Sequence, residues 1–183
     1  MNPLTIETER LVLRKVKQTD APAIFRNWAN DPEVTKYMTW NPHEDISITN
    51  RIVDYWLEEE KKPEVVRFII TVKGSDEPLG MIDVVGYRNN NVPEIGYCLS
   101  KKAWGKGYMT EACTAFVQHL FSLGHRKIVI AADVNNIGSN RVIEKCGFQF
   151  LFRERLEHRS PFKEEPAVIN WYELRKNAAS VVE

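Results

Sequence analysis

The sequence predicts one mixed α/β domain, on three observations. An apolar strand opens the chain and two helical patterns follow it. Three segments rich in β-branched residues come next, separated by turn residues. Beyond a glycine-rich turn, helices and strands alternate to the end. With no internal repeat, low-complexity tract or linker, residues 1–183 read as a single unit with a core of about 8–175.

Taken in order, Leu11, Leu13 and Val16 suggest a strand over about residues 9–16. Thr19 or Asp20 can cap a first helix, with Pro22 in its first turn, where a missing N–H costs little. That helix is expected to end near Asn30, and residues 32–38 to add a short helical turn. After a loop containing Trp40, Pro42 and His43, Ser47 is expected to open a longer helix. In it Ile48, Ile52, Tyr55 and Trp56 recur at helical spacing, and Pro63 closes it.

Val65–Val72 and Leu79–Tyr87 read as two arms of a hairpin around Gly74-Ser75-Asp76-Glu77-Pro78. Asn89-Asn90-Asn91 turns the chain into Val92–Leu99. Beyond Trp104–Tyr108, residues Met109, Ala112, Cys113, Phe116, Leu120 and Leu123 fall on one helical face, with Gly124 as the stop. Lys127–Val134 predicts a strand and Asn136–Lys145 a helix ending at Gly147. Strands near 148–157 and 166–175 finish the domain.

Composition excludes several functions. Twenty-five basic residues balance 25 acidic ones, so no global field favours nucleic acid or anionic lipid, and an RNA-binding role is disfavoured. No apolar run reaches the roughly 18 residues of a membrane span, and the opening residues hold no apolar signal stretch. Cys98, Cys113 and Cys146 have no paired spacing, and His43, His119, His125 and His158 have no ligand spacing. Reduced thiols, a cytoplasmic location and no metal are therefore expected.

The chemistry is concentrated at Trp104-Gly105-Lys106-Gly107-Tyr108. A strand, a two-glycine turn and a helix N-terminus bring unpaired amides together under a positive dipole end, which favours a phosphate or pyrophosphate. A dinucleotide fingerprint would need a third glycine where Thr110 stands, and no phosphate-loop run exists.

Lys102-Ala103-Trp104-Gly105-Lys106-Gly107 resembles the pyrophosphate motif of the GCN5-related N-acetyltransferase superfamily, Gln/Arg-x-x-Gly-x-Gly/Ala, with Lys102 departing at the first position. The longer run through Ala112 is similar to the branch that includes the ribosomal-protein alanine and serine N-acetyltransferases. Glu9–Arg14, Asp31-Pro32-Glu33-Val34 and Asn136–Phe148 match the same branch in order. The resemblance implies a twisted, mostly antiparallel sheet of about seven strands, flanked by about four helices, with a splayed strand pair forming the acyl-CoA cleft.

It also implies acetyl-CoA as cosubstrate. The turn from Trp104 to Tyr108, with Lys102, Met109 and Thr110, would bind its pyrophosphate. Tyr97, Cys98 and Leu99 would pair their backbone with pantetheine, and Asn136, Ser139 and Asn140 would make polar contacts to it, with Arg141 a further possibility. Asn136 also has a plain role as a helix cap.

Aminolysis of a thioester requires a base for the attacking amine, an acid for the leaving thiolate and N–H donors for the oxyanion. Glu94 is the expected base and Ser139 the expected acid, with Tyr172 and Tyr108 as alternatives; an amide near Cys98 would hold the oxyanion. Direct attack in a ternary complex is expected rather than an acyl-cysteine. Trp40, Asn41, Pro42, His43, Tyr87, Tyr172 and the loop 158–165 are nominated for the acceptor side. The acceptor expected is a protein or peptide N-terminal α-amine. A small-molecule amine, or a non-catalytic acyl-CoA-binding module, is the alternative, and the unit would be a monomer or homodimer.

Overall fold

The computed structural model describes residues 5–176; the remaining ends of the expected unit lie outside the described residues. The strands are β1 (Thr5–Glu7), β2 (Leu11–Arg14), β3 (Arg67–Val72), β4 (Gly80–Arg88), β5 (Val92–Leu99), β6 (Lys127–Asp133), β7 (Gln149–Leu156) and β8 (Ala167–Arg175). They form one sheet in the order β1-β2-β3-β4-β5-β6-β8-β7. Neighbours are antiparallel except β5 and β6, which run parallel and pair only at Glu94 with Val129 and Ile95 with Ile130. Beyond those two pairs the strands part.

Alternation within the strands divides the apolar residues between two faces. Phe68, Ile70, Ile82 and Ile95 pack against α4 (Tyr108–Ser122), whose Ala112, Phe116 and Leu120 are fully buried. Ile69, Met81 and Cys98 face the other way, against α1 (Ala21–Ile24), Trp28 and Val53. Val53 belongs to α3 (Ile46–Glu59); α2 (Pro32–Thr35) and α5 (Ile137–Lys145) complete the helices.

Three expectations need correction. The opening strand is shorter than predicted because Thr8 turns the chain: its amide and hydroxyl both bond the Leu11 carbonyl. Thr5–Glu7 then pairs back on β2, giving eight strands. Asp45, rather than Ser47, caps α3, accepting the Ser47 amide at 2.7 Å. Leu123 lies past the last turn of α4 and is exposed, so the apolar face ends at Phe121.

After α1 the helix widens into a π turn over Phe25–Ala29, with the Asn30 amide bonding back to the Phe25 carbonyl at 3.1 Å. Such turns alter which side chains a helix presents. Here Trp28 and Ala29 point to a cavity, and Asn27 reaches the Pro78 carbonyl at 2.7 Å.

Candidate active site

The glycine turn joins β5 to α4. A tight helical turn at Lys101–Ala103 leads into it, and Gly105 and Gly107 take φ of +73° and +77°. Side chains disfavour that backbone region, which explains both glycines. Among the described residues, none accepts a hydrogen bond from the amides of Gly105 through Thr110. They form a concave row of donors at the positive end of a 15-residue helix.

Arg10 holds this turn in place from the start of β2, a role the sequence reading did not assign. Its Nη1 donates to the Lys106 carbonyl at 3.0 Å, its Nε pairs with Glu111 at 2.7 Å, and its guanidinium lies 4.8 Å from the Tyr108 ring centre. Burial works to raise the Glu111 carboxyl, but hydrogen bonds from Thr8 and Arg10 outweigh it and hold it below the usual range.

Most side chains around the turn are engaged within the protein. Lys102 does not point freely at the turn; its Nζ donates to Glu77 at 2.8 Å and Asn27 at 3.0 Å. Lys106 remains exposed beside the glycines. Trp104 donates its indole N–H to the Leu99 carbonyl at 2.8 Å, so that carbonyl is not open to a ligand. Met109 is buried in the core, and the Thr110 carbonyl accepts from Thr114.

Asn136 caps α5, its Oδ1 accepting the Ser139 amide at 3.1 Å. Asn140 spends its whole hydrogen-bonding capacity internally: Nδ2 donates to the Asp133 and Asn136 carbonyls, and Oδ1 accepts from Asn170 and Tyr172. It therefore braces β6, α5 and β8 instead of offering a group to a ligand. Arg141 is exposed.

Where β5 and β6 part, the Tyr97 hydroxyl crosses the gap. It stands 3.0 Å from Ser139 Oγ and donates to the Ser139 carbonyl at 3.2 Å. Burial pushes its pKa far up, with the Ser139 hydrogen bond a smaller opposing effect, so the phenol keeps its proton. Sequence reasoning nominated only the Tyr97 backbone; the side-chain pairing needs the β5–α5 geometry.

On the α1/α3 side the gap opens into a cavity of about 610 Å³, within the range of small-molecule sites. Gly96, Tyr97 and Cys98 line it, as do Trp28, Trp40, Trp56 and Trp171, four of the five tryptophans. His43 is there too, its Nδ1 2.8 Å from Thr49 Oγ1, and burial lowers its pKa and favours the neutral ring. Glu94 enters from β5, paired to Arg88 at 2.6 Å. Burial pushes the Cys98 thiol up to about 12, with the nearby Asp83 carboxylate adding to it, so the thiolate needed for an acyl-cysteine is disfavoured.

Tyr87 and Tyr172 do not reach this cavity. Tyr87 lies against His125 and donates to the Glu64 carbonyl. Tyr172 faces Asn140 and Phe150, because Ile169 and Trp171 take the cavity-facing positions of β8. The 158–165 loop instead straps the cavity. Asn41 donates to the Phe162 carbonyl, Ser160 to the Thr39 carbonyl at 2.6 Å, and buried Lys163 to the Thr35 carbonyl at 2.7 Å. At its base Arg159 pairs with buried Asp133 at 2.6 Å. Among the described residues no group of three or more potential metal ligands occurs, and no helix is long and apolar enough to cross a membrane.

A family model for the acetyltransferase (GNAT) domain matches residues 10–149. The chain belongs to this family. As a GNAT protein it is an acetyl-CoA-dependent acetyltransferase, with acetyl-CoA as cosubstrate. It is 35% identical over 151 residues to the uncharacterized N-acetyltransferase p20 of Bacillus licheniformis, covering 79% of this chain and 82% of that protein. The uncharacterized N-acetyltransferase YoaA of Bacillus subtilis is 31% identical over 146 residues, with the same coverage.

Similar folds include the ribosomal L7/L12 alpha-N-protein acetyltransferase RimL in complex with coenzyme A. It has a TM-score of 0.80 and 20% identity over 97% of this GNAT chain and 98% of that one. The microcin C7 self-immunity acetyltransferase MccE, in complex with acetyl-CoA and AMP, gives 0.81 and 20% over 95% and 97%.

Proposed function

We propose that this enzyme transfers acetyl from acetyl-CoA to a small, partly apolar primary amine by direct attack in a ternary complex. The observation that carries the reading is the parted β5–β6 gap, which lies between the amide row at the turn and the aromatic cavity. The pyrophosphate lies on the amides of Gly105–Thr110, with Lys106 alongside, and pantetheine runs through the gap along Gly96–Cys98. A thioester placed there meets Ser139 on one side and the cavity on the other.

In this reaction Glu94 takes a proton from the acceptor ammonium through water. The neutral amine attacks the carbonyl carbon, a C–N bond forms and the C–S bond breaks, with the electron pair leaving on sulfur. Ser139 supplies the proton for the thiolate and is reprotonated by the second amine proton through solvent, Tyr97 orders its hydroxyl, and Glu94 returns its proton to solvent. An amide near Cys98 holds the oxyanion. The reaction is assigned to the cytoplasm.

A protein N-terminus, the acceptor favoured by the resemblance, is disfavoured by the strap. Its hydrogen bonds to Thr35, Thr39 and Asn41 close one side of a cavity already walled by indoles. Titration calorimetry with acetyl-CoA tests the donor half. Binding should be lost in Gly107→Trp, whose side chain meets both a positive φ and the Arg10 guanidinium 3.4 Å from its Cβ. For the acceptor half, a thiol-release assay should find turnover with arylalkyl amines and not with peptides of four or more residues. Turnover of peptides alone would reverse the assignment.

A further inference from the structure

Three carboxylates line the cavity, and two have their cation in the lining with them: Glu94 with Arg88 and Asp133 with Arg159, both at 2.6 Å. Asp83 does not. Its counter-ion Arg67 stands behind the wall, making one long contact of 3.3 Å from Nε to Oδ2, its guanidinium 5.2 Å from the Trp56 ring centre. The buried Arg67 Nη1 has no hydrogen-bond partner among the described residues. Among the described residues no hydrogen bond reaches Asp83 Oδ1, and the side chain keeps 12% of its surface exposed, in the cavity it lines.

Register places this carboxylate at the reacting end. Asp83 pairs with Gly96, the first β5 residue beyond the last contact with β6. A Cβ at Gly96 would meet Val85 Cγ1 at 2.7 Å, so a side chain there would require Val85 to shift. Diagonally across the strands lies Cys98, whose thiol senses the Asp83 charge. Glu94, in contrast, sits where the strands still pair.

We propose that Asp83 seats the acceptor, its Oδ1 accepting an N–H from a primary ammonium whose apolar body lies among Trp40, Trp56 and Trp171. This rests on the small-amine reading above and names the residue that selects for it. A carboxylate below and aromatic faces around form a site for a cation on an apolar stem, and a neutral compound of the same shape leaves the carboxylate unmatched. Burial pushes the Asp83 carboxyl up, only partly offset by Arg67, and an arriving ammonium restores the charged form.

Because four tryptophans line the cavity, intrinsic fluorescence reads occupancy without turnover. With coenzyme A saturating, benzylamine and benzyl alcohol are titrated into the wild type and Asp83→Asn. In the wild type benzylamine should bind about tenfold tighter than the alcohol, the scale of one charge-assisted hydrogen bond. In Asp83→Asn the two should fall within about twofold of each other, with coenzyme A affinity unchanged.

Should the single variant fail to fold, Arg67→Met with Asp83→Asn removes both charges and is read by the same ratio. A preference for benzylamine that survives either variant overturns the assignment to Asp83 and leaves the small-amine acceptor standing. No response to benzylamine in the wild type overturns the acceptor reading, and Asp83 with it.

Discussion

Ser139 and Tyr97 meet over 3.0 Å although one lies on a helix and the other on a strand 42 residues earlier. The Tyr97 hydroxyl donates to the Ser139 carbonyl and stands 3.0 Å from Ser139 Oγ, so it positions the serine in the proposed reaction. Replacing Ser139 by Ala should lower kcat by about 10²-fold, the lower end for a general acid, with little change in acetyl-CoA affinity. Tyr97→Phe, which only disorders the serine, should cost less; rapid-quench kinetics would compare the two. Glu77 offers a pH test. Hydrogen bonds from Lys102 and then Asn27 hold its carboxyl down to about 2. A depressed folded pKa stabilises above the ordinary carboxylate value, and that stability is lost as pH falls toward 2. Urea midpoints should therefore drop less between pH 6 and about pH 3 in Glu77→Gln than in the wild type, by a few tenths of a kcal/mol given the half-exposed site.

At the scale of elements, one buried ammonium ties the strap to the end of α2. Lys163 is 8% exposed and donates to the carbonyls of Thr35 and Lys36 at the end of α2. Lys163→Met should raise KM for the acceptor at least about fivefold while leaving acetyl-CoA binding within about twofold, a split read from steady-state kinetics. This division between local and distant contacts also explains what could be read in advance. The β4–β5 hairpin, the glycine turn and the Asn136 cap depend on neighbours within a few residues, and their sequence patterns are direct. The Arg10–Glu111 pair spans 101 residues and the Lys163–Thr35 bond 128, so no local pattern encodes them. Tyr87 and Tyr172 lie off the cavity, and strand membership alone does not say which face a residue takes; register decides that. Asp83 is illegible in the sequence for the same reason: its partner across the ladder, Gly96, follows from pairing and not from spacing.

Across the whole molecule, five strands stand on one side of the β5–β6 junction and three on the other, joined there by two residue pairs. A molecule lying in the gap bridges both groups. Saturating acetyl-CoA at about 100 times its Kd should stabilise the fold by about 2.7 kcal/mol. Amide exchange should slow together in β6, β8 and β7 as well as in the turn. Protection confined to residues 105–110 would show that the two strand groups are not coupled by the ligand.

The strand group beyond the gap also carries Trp171 and the strap, so the cavity is built from both banks of the same seam. On the proposed reading, pantetheine filling the seam would set the spacing of those banks. Binding of the two substrates is then synergistic, and by thermodynamic reciprocity the factor by which acetyl-CoA tightens the amine equals the factor by which the amine tightens acetyl-CoA. Coupling of this kind makes the empty enzyme a poorer host for either substrate than the half-filled enzyme is for the second.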